Sequence, residues 1–235
     1  GLIALSERSA MRKFAILLGI SLLFLSSVGA LAGDQPDVDA IRRDIERNGW
    51  SFEVDDTFIS TLTPEQRLNL RGFNPPPDYQ QELDRNLKIF PVSKDPLPTN
   101  LDWRDVDGIT PVKNQADCGS CWAFAATAEL EAFIKIYYGV ETDLSEQQVV
   151  SCNPYGAGCD GGWANAAYFV FQQYGAVQEN CMPYIGMDPP QAPCEQDDFK
   201  KYGFITGWHS VSNNVEQMKA ALQYGPLCTA IDASD

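Results

Sequence analysis

Residues 114–124 read NQADCGSCWAF, with Cys118 and Cys121 three apart at the entrance to an apolar run. Three chemistries use such a pair. Half of a zinc site would need a second ligand pair at C-x₂₋₄-C or H-x₃₋₅-H spacing. Cys152, Cys159, Cys181, Cys194 and Cys228 offer none, and the single histidine, His209, is far along the chain. A redox C-x-x-C would sit in a thioredoxin-type βαβ unit, with aromatic and proline neighbours that are absent here. The third chemistry divides the roles: Cys118, in the preceding loop, is free to be stapled elsewhere, and Cys121 is a nucleophile where a helix begins. The free N–H groups and the dipole at a helix N-terminus stabilise a thiolate, the attacking form of cysteine. Gln115 is close enough in sequence to set a side-chain N–H₂ beside the Cys121 backbone N–H. Two donors so placed make an oxyanion hole.

The elements that would carry these residues follow from spacing. SCWAFAATAELEAFIKIYYG reads as a long, mostly buried helix, with Ser120 near its start, Gly139 at its stop, and Ala125, Ala128 and Ala132 allowing close backbone approach. LSEQQVVSC opens with Ser145 and has Gln148 three residues on, a capping box. WANAAYFVFQQYG predicts a helix closed by Gly175, and NNVEQMKAALQYGP another, capped by Asn213 or Asn214 and stopped at Gly225-Pro226. YGFITGWHSV alternates as a strand does, and LCTAIDA, from Leu227, starts a further strand. Upstream, Val38, Ile41 and Ile45 have helical spacing, Thr63-Pro64 opens a helix that Gly72 ends, and NPPPDY is an extended connector. SKDPLPTN is a Pro-rich, polar boundary between this region and the cysteine-bearing one.

Composition bounds the rest. Hydrophobic residues make up 44% and charged residues 21% of 235, which implies a packed core. The net charge of −15, without a basic patch, argues against nucleic acid as a partner. MRKFAILLGISLLFLSSVGALAG has a basic start, a short apolar run and an A-L-A ending at Ala32, the layout of a secretory signal peptide. Residues 1–32 are therefore expected to be upstream sequence plus signal, leaving no membrane segment after cleavage. Seven cysteines in an oxidising compartment should mostly pair, and the odd one is a candidate reactive thiol.

C-G-S-C-W is a signature of papain/cathepsin-type cysteine peptidases. The resemblance extends through LPTNLDWRDVDGITPVKNQADCGSCWAFAATAELE, LSEQQVVSCNPYGAGCDGGWANAAYFV and GPLCTAIDA, and covers 97–235. It implies an α+β, papain-like two-domain fold, with the helical L-domain essentially complete and the β-barrel R-domain incomplete. Residues 33–96 resemble a short inhibitory propeptide without the family's long prosegment helix, and 97–235 a partial peptidase domain. By the same resemblance Cys121 is the nucleophile and Gln115 the oxyanion donor. Gly161 and Gly162 would pair backbone with an extended substrate, where a bare glycine backbone allows close approach. Gly119, Trp163, Ala164 and Ala230 would line the substrate pockets. Disulfides Cys118–Cys159 and Cys152–Cys194 are implied, with Cys181 and Cys228 extra to that pattern. Partners would be polypeptide substrates and the chain's own propeptide. The enzyme would be a secreted or lysosome-like monomer needing no metal or organic cofactor.

The family's base is a histidine oriented by an asparagine, about 130–150 residues past the cysteine. That lies beyond Asp235, and His209 comes too early, before the strand at Leu227 that the catalytic histidine should follow. The expectation is a zymogen of a cysteine endopeptidase cut short in this sequence and inactive as it stands. A short Cys152–Cys159 loop leaves no room for an exopeptidase-type insertion. Two alternatives remain: a catalytically dead homologue that binds peptides, and a thiol–disulfide exchanger using both Cys118 and Cys121.

Overall fold

The computed structural model describes residues 38–92, 96–188 and 201–231, all within the compact unit Asp34–Asp235. The signal-type segment and Cys194 lie outside these residues. The fold is mixed, with a large helical part. Helices α1 (Val38–Asn48), α2 (Pro64–Asn69) and α3 (Tyr79–Arg85) precede the boundary at 93–100, together with strand β1 (Leu87–Lys88). After it come α4 (Cys121–Tyr138), α5 (Glu146–Cys152), α6 (Ala164–Gln173), β2 (Ala176–Val177), β3 (Lys201–Gly203), β4 (Ser210–Val211) and α7 (Val215–Leu222).

The core is α4 packed against α5 and α6. Trp122, Ala123 and Ala126 of α4 meet Val149 and Val150 of α5 and Ala166, Ala167 and Phe171 of α6. Of the three alanines expected to allow this approach, Ala132 alone is buried. Ala123, Ala126 and Ala132 are buried, Ala125 only partly, and Ala128 is exposed; the inward face of α4 also carries Trp122, Thr127 and Glu131. Gly139, at φ 66°, ends α4 in the left-handed conformation that glycine adopts without strain. Thr63 caps α2 with a reciprocal Gln66 bond, and Asn214 caps α7 by accepting from the Glu216 and Gln217 N–H groups. At α5 the box is half made. Ser145 Oγ accepts from Gln148 N–H, but the Gln148 amide turns away to Gly175 O (2.8 Å) and Val177 N–H (2.9 Å). It thereby pins the start of β2 to α5. Helix α3 went unread, since its first residue, Tyr79, closes what looked like an extended connector.

The strand expected over 202–211 is two short pieces. β3 pairs antiparallel with β2, whereas β4 pairs parallel with β1 of the upstream region, with Leu87 opposite Ser210 and Lys88 opposite Val211. Two different partners cannot hold one straight strand, so the chain bends between them. The strand expected from Leu227 is not formed over the described residues up to 231, where no neighbouring strand pairs with it.

A buried ionic cluster joins the loop before the CGSC stretch to the helices. Lys113 Nζ lies 2.8 Å from Glu131 Oε1, 2.8 Å from Asp143 Oδ1 and 2.9 Å from Glu146 Oε1, and also donates to Leu144 O. Glu131 is fully buried and accepts further from Thr110 Oγ1 and the Leu144 N–H. Burial pulls Lys113 down, but bonds from Asp143, Glu131 and Glu146 outweigh it and hold the ammonium above its usual range. Glu146 moves the other way for a carboxylate in an ion pair. Burial raises it to about 7, beyond what Lys113 restores, because one cation cannot neutralise two buried carboxylates. Folding thus takes up a proton at Glu146 between about pH 4.5 and 7. The stability it lends is full below that window, falls progressively across it, and is lost once pH has risen through about 7. Thermal melts of wild type and Glu146→Gln at pH 5, 6, 7 and 8 should show the wild-type Tm falling relative to the variant across this range. Parallel Tm curves would refute the assignment.

Candidate active site

Cys121 is the first residue of α4, and Ser120 is its N-cap. At that position a backbone N–H has no partner within the helix. Among the described residues Cys121 Sγ accepts one hydrogen bond, from the N–H of Gly72 at 3.3 Å. The approach to Gly72 is close. A Cβ at that residue would stand 1.8 Å from Gly119 O and 3.1 Å from Cys121 Sγ. The glycine that seemed only to stop α2 is the residue laid on the thiol.

Gln115 is half-buried, and its side-chain Nε2 donates to Cys118 O (2.7 Å) and to Leu70 O (3.1 Å). One bond fixes the amide to the CGSC loop, and the other reaches the upstream region. The following residue, Ala116, has φ 51° and donates its N–H to Asn114 Oδ1 (2.9 Å), so Gln115 projects from a tight turn. Cys118 is disulfide-bonded to Cys159, with Cα atoms 4.6 Å apart. The Gly119 N–H also donates to Cys159 O (2.9 Å), and a Cβ on Gly119 would meet that oxygen at 2.4 Å. Backbone therefore packs on backbone on both sides of Gly119.

Across the cleft, Gly162 N–H donates to Gly72 O (2.7 Å) and Gly162 O accepts from Asn74 N–H (2.9 Å), a parallel bridge at Phe73. Gly161, at φ 116°, has Gly72 O and Asn74 against it. Gly162 lies on the Trp122 ring, where a Cβ would come within 2.5 Å. Trp163, nearly buried, caps α6 and meets the Tyr155 ring at 5.6 Å. Ala164 packs at the edge of the core. Ala230 is exposed in the stretch after α7. The structure thus gathers Gln115, Gly119, Cys121, Gly161 and Gly162 around the backbone of residues 70–74.

His209 is exposed, one residue before β4, and is not a partner of Cys121 Sγ. Cys152 is disulfide-bonded; its expected partner, Cys194, lies outside the described residues. Cys181 and Cys228, left open by the sequence, are both free thiols. The Cys228 thiol is pushed up to about 12 by burial and then by the Glu129 carboxylate, so it stays protonated and poorly nucleophilic.

Sequence reasoning missed Leu70, Gly72 and Asn74, which touch the site from the upstream region. It also missed Tyr184, which touches it from a loop. A lone glycine and a lone tyrosine carry no spacing signal.

Two kinds of comparison bear on this arrangement. The model of a family described as papain family cysteine protease matches residues 97–235. Fruit bromelain of Ananas comosus is 40% identical over 141 residues, covering 59% of this chain and 39% of that protein. Ananain, also of Ananas comosus, is 39% identical over 191 residues, covering 80% and 54%. The chain thus spans about half the length of the curated relatives it matches. Among solved structures, digestive procathepsin L 3 from Tenebrio molitor larval midgut superposes with a TM-score of 0.62 at 25% identity, covering 79% of this chain and 59% of that one.

The packing at Gly72 gives a direct test. A Gly72→Ala side chain has no room against Gly119, and forced overpacking typically costs about 1–3 kcal/mol, about tenfold or more in occupancy. Alkylation of Cys121 by iodoacetamide should therefore be faster by about that factor in the variant than in the wild-type 235-residue chain.

Proposed function

The chain belongs to the papain family of cysteine proteases, and from that premise we propose that it is the zymogen form of a cysteine endopeptidase whose residues 70–74 block the cleft as a substrate-like strand. The observation that carries this reading is the three-point seating of one extended segment. Leu70 O is on the Gln115 amide, Gly72 N–H is on the Cys121 sulfur, and Gly72 and Asn74 pair with Gly162. A peptide so held by backbone bonds explains recognition of polypeptides without regard to most side chains.

The mechanism is acyl transfer. The Cys121 thiolate attacks the scissile carbonyl carbon, and the developing oxyanion is held by Gln115 Nε2 and the Cys121 N–H. The leaving amine takes a proton from a general acid, and water activated by the conjugate base then releases the thioester. We assign that acid–base group to a histidine beyond these 235 residues. In support, His209 sits beside the strand that pairs with the prosegment and not beside Cys121. On this reading the barrel-like half is represented only by its first elements, and the 235-residue polypeptide alone does not turn over. Gly119, Trp163, Ala164 and Ala230 are proposed to border the substrate pockets. The disulfide and the leader-like N-terminus support a secreted or lysosome-like setting. Among the described residues no helix is long and apolar enough to cross a membrane.

Peptide-amide hydrolysis by the full-length protein, after prosegment cleavage, tests the reading. Cys121→Ala should abolish it, and Gln115→Ala should lower kcat by about 10²–10³, as loss of one oxyanion donor does elsewhere. The 235-residue chain should show neither turnover nor a burst. A full-length protein that binds peptides but cleaves none would make peptide binding the function.

A further inference from the structure

Tyr184 lies outside every stretch so far given a role, yet its hydroxyl bridges Gln115, which carries one half of the proposed oxyanion hole, and Ser120, the residue before the one that carries the other. Tyr184 Oη donates to Gln115 O at 2.8 Å and lies 2.6 Å from Ser120 Oγ. Since its own proton goes to Gln115, the Ser120 hydroxyl is the donor in the second bond. The result is a relay, Ser120 Oγ–H to Tyr184 Oη–H to Gln115 C=O. It runs from the N-cap of α4 to the backbone of the residue that carries the oxyanion amide.

Three observations show that this relay is built in. Ser120 is fully buried at the N-cap, where serine usually caps with its own side chain, but it makes no such cap bond. Its hydroxyl is given to Tyr184 instead. The Tyr184 ring stands edge-on to Phe124, one turn into α4, with centroids 4.9 Å apart. The backbone around it is clamped as well. Tyr184 N–H donates to Glu179 Oε1 (2.6 Å), Ile185 N–H to Gln147 Oε1 (2.9 Å), and Ser145 Oγ–H to Met182 O (2.5 Å). Further along, Asp188 Oδ1 accepts from Cys159 N–H (2.9 Å), at the far end of the disulfide.

We propose that Tyr184, with Ser120, is a positioning residue that sets the distance between the Gln115 amide and the Cys121 N–H. The inference rests on the peptidase reading above. Gln115 follows the Lys113 anchor but precedes a left-handed turn at Ala116, so its carbonyl needs an outside partner to fix its orientation. Tyr184 supplies that partner and takes its own place from the helix that bears the nucleophile. The two oxyanion donors are thereby referenced to one another through a side chain that touches neither substrate nor sulfur. Preorganisation of this kind acts on the transition state, not on substrate binding.

The experiment compares wild type, Tyr184→Phe, Ser120→Ala and the double variant in the full-length activated protein. Tyr184→Phe keeps the ring against Phe124 and removes only the hydroxyl. Three readouts are taken: kcat and KM on a peptide amide, inhibition by a peptide aldehyde, and alkylation of Cys121 by iodoacetamide. The aldehyde forms a hemithioacetal whose oxygen occupies the hole, whereas alkylation uses no oxyanion donor. Each single variant should lose about tenfold in kcat and in aldehyde affinity, the scale of one hydrogen bond. KM and the alkylation rate should stay within about twofold. The double variant should be no worse than either single one, since both break the same relay. Unchanged kcat and aldehyde affinity in both variants would overturn the proposal. So would an equal fall in aldehyde affinity and alkylation, which would mark a general loss of structure. A wild-type protein that cleaves no peptide would overturn the peptidase reading and this inference together. An active wild type with fully active variants would overturn only this one.

Discussion

A single ammonium group, that of Lys113, stands under the whole arrangement. It is shared among Glu131, Asp143 and Glu146, and each carboxylate belongs to a different piece of the fold: α4, the turn before α5, and α5 itself. A fully buried glutamate such as Glu131 is tolerated only with a charged partner and further donors, and it has both. Removing the cation would leave two buried carboxylates facing each other. The cluster therefore fixes not only helix against helix but also the chain two residues ahead of Gln115. From this anchor, through Gln115 and the CGSC loop to the first turn of α4, the path is short and tied at each step by a hydrogen bond or the disulfide.

The cleft itself is made by omission of side chains. Gly72, Gly119, Gly161 and Gly162 come together because backbone must approach backbone, and at three of the four a Cβ would lie under 2.6 Å from a neighbouring atom. Hydrogen bonds between main-chain groups are indifferent to sequence, so what seats the upstream segment on Gly162 is its backbone and not its side chains. The Trp122 ring beneath Gly162 provides the hard floor on which that approach is made. Its indole N–H is bonded to Gly158 O (3.1 Å), which holds the ring in place.

Much of this was legible before any coordinates. The long helix from Cys121, its Gly139 stop and the caps at Thr63, Ser145 and Asn214 follow from local chemistry, whereas the stapling of Cys118 to Cys159 was implied by the family resemblance. The upstream contacts were not legible, because Leu70 and Gly72 gain their meaning from residues some distance away in the chain, and no periodicity encodes that. The inward face of α4 was read correctly only at Ala132, because alanines recur along the helix and two buried polar residues, Thr127 and Glu131, share that face. The split of 202–211 into β3 and β4 depends on which strands stand alongside, a property of the fold and not of the segment. Tyr184 was silent for the same reason, since its value lies wholly in the two partners it joins.

Besides the packing of Tyr79 against the core, two hydrogen-bonded footholds join the upstream region to the rest of the molecule among the described residues. One is the cleft, through residues 70–74. The other is the β1–β4 pair, where Asn86 O accepts from Ser210 N–H, Ser210 Oγ donates to Leu83 O, and the Phe90 backbone exchanges two bonds with the Gln217 amide. Each patch alone is small. Joined by the chain between them, they behave as a bivalent ligand, each raising the local concentration of the other. A single backbone cut between Asn74 and Leu83 would abolish that mutual reinforcement without touching either patch. Residues 70–74, with the α1 and α2 stretch that precedes them, would then be held only by their own contacts, diluted into bulk solvent each time they let go. One nick, placed between the two footholds, thus loosens the hold on residues 70–74 while β1 stays attached to the rest of the chain.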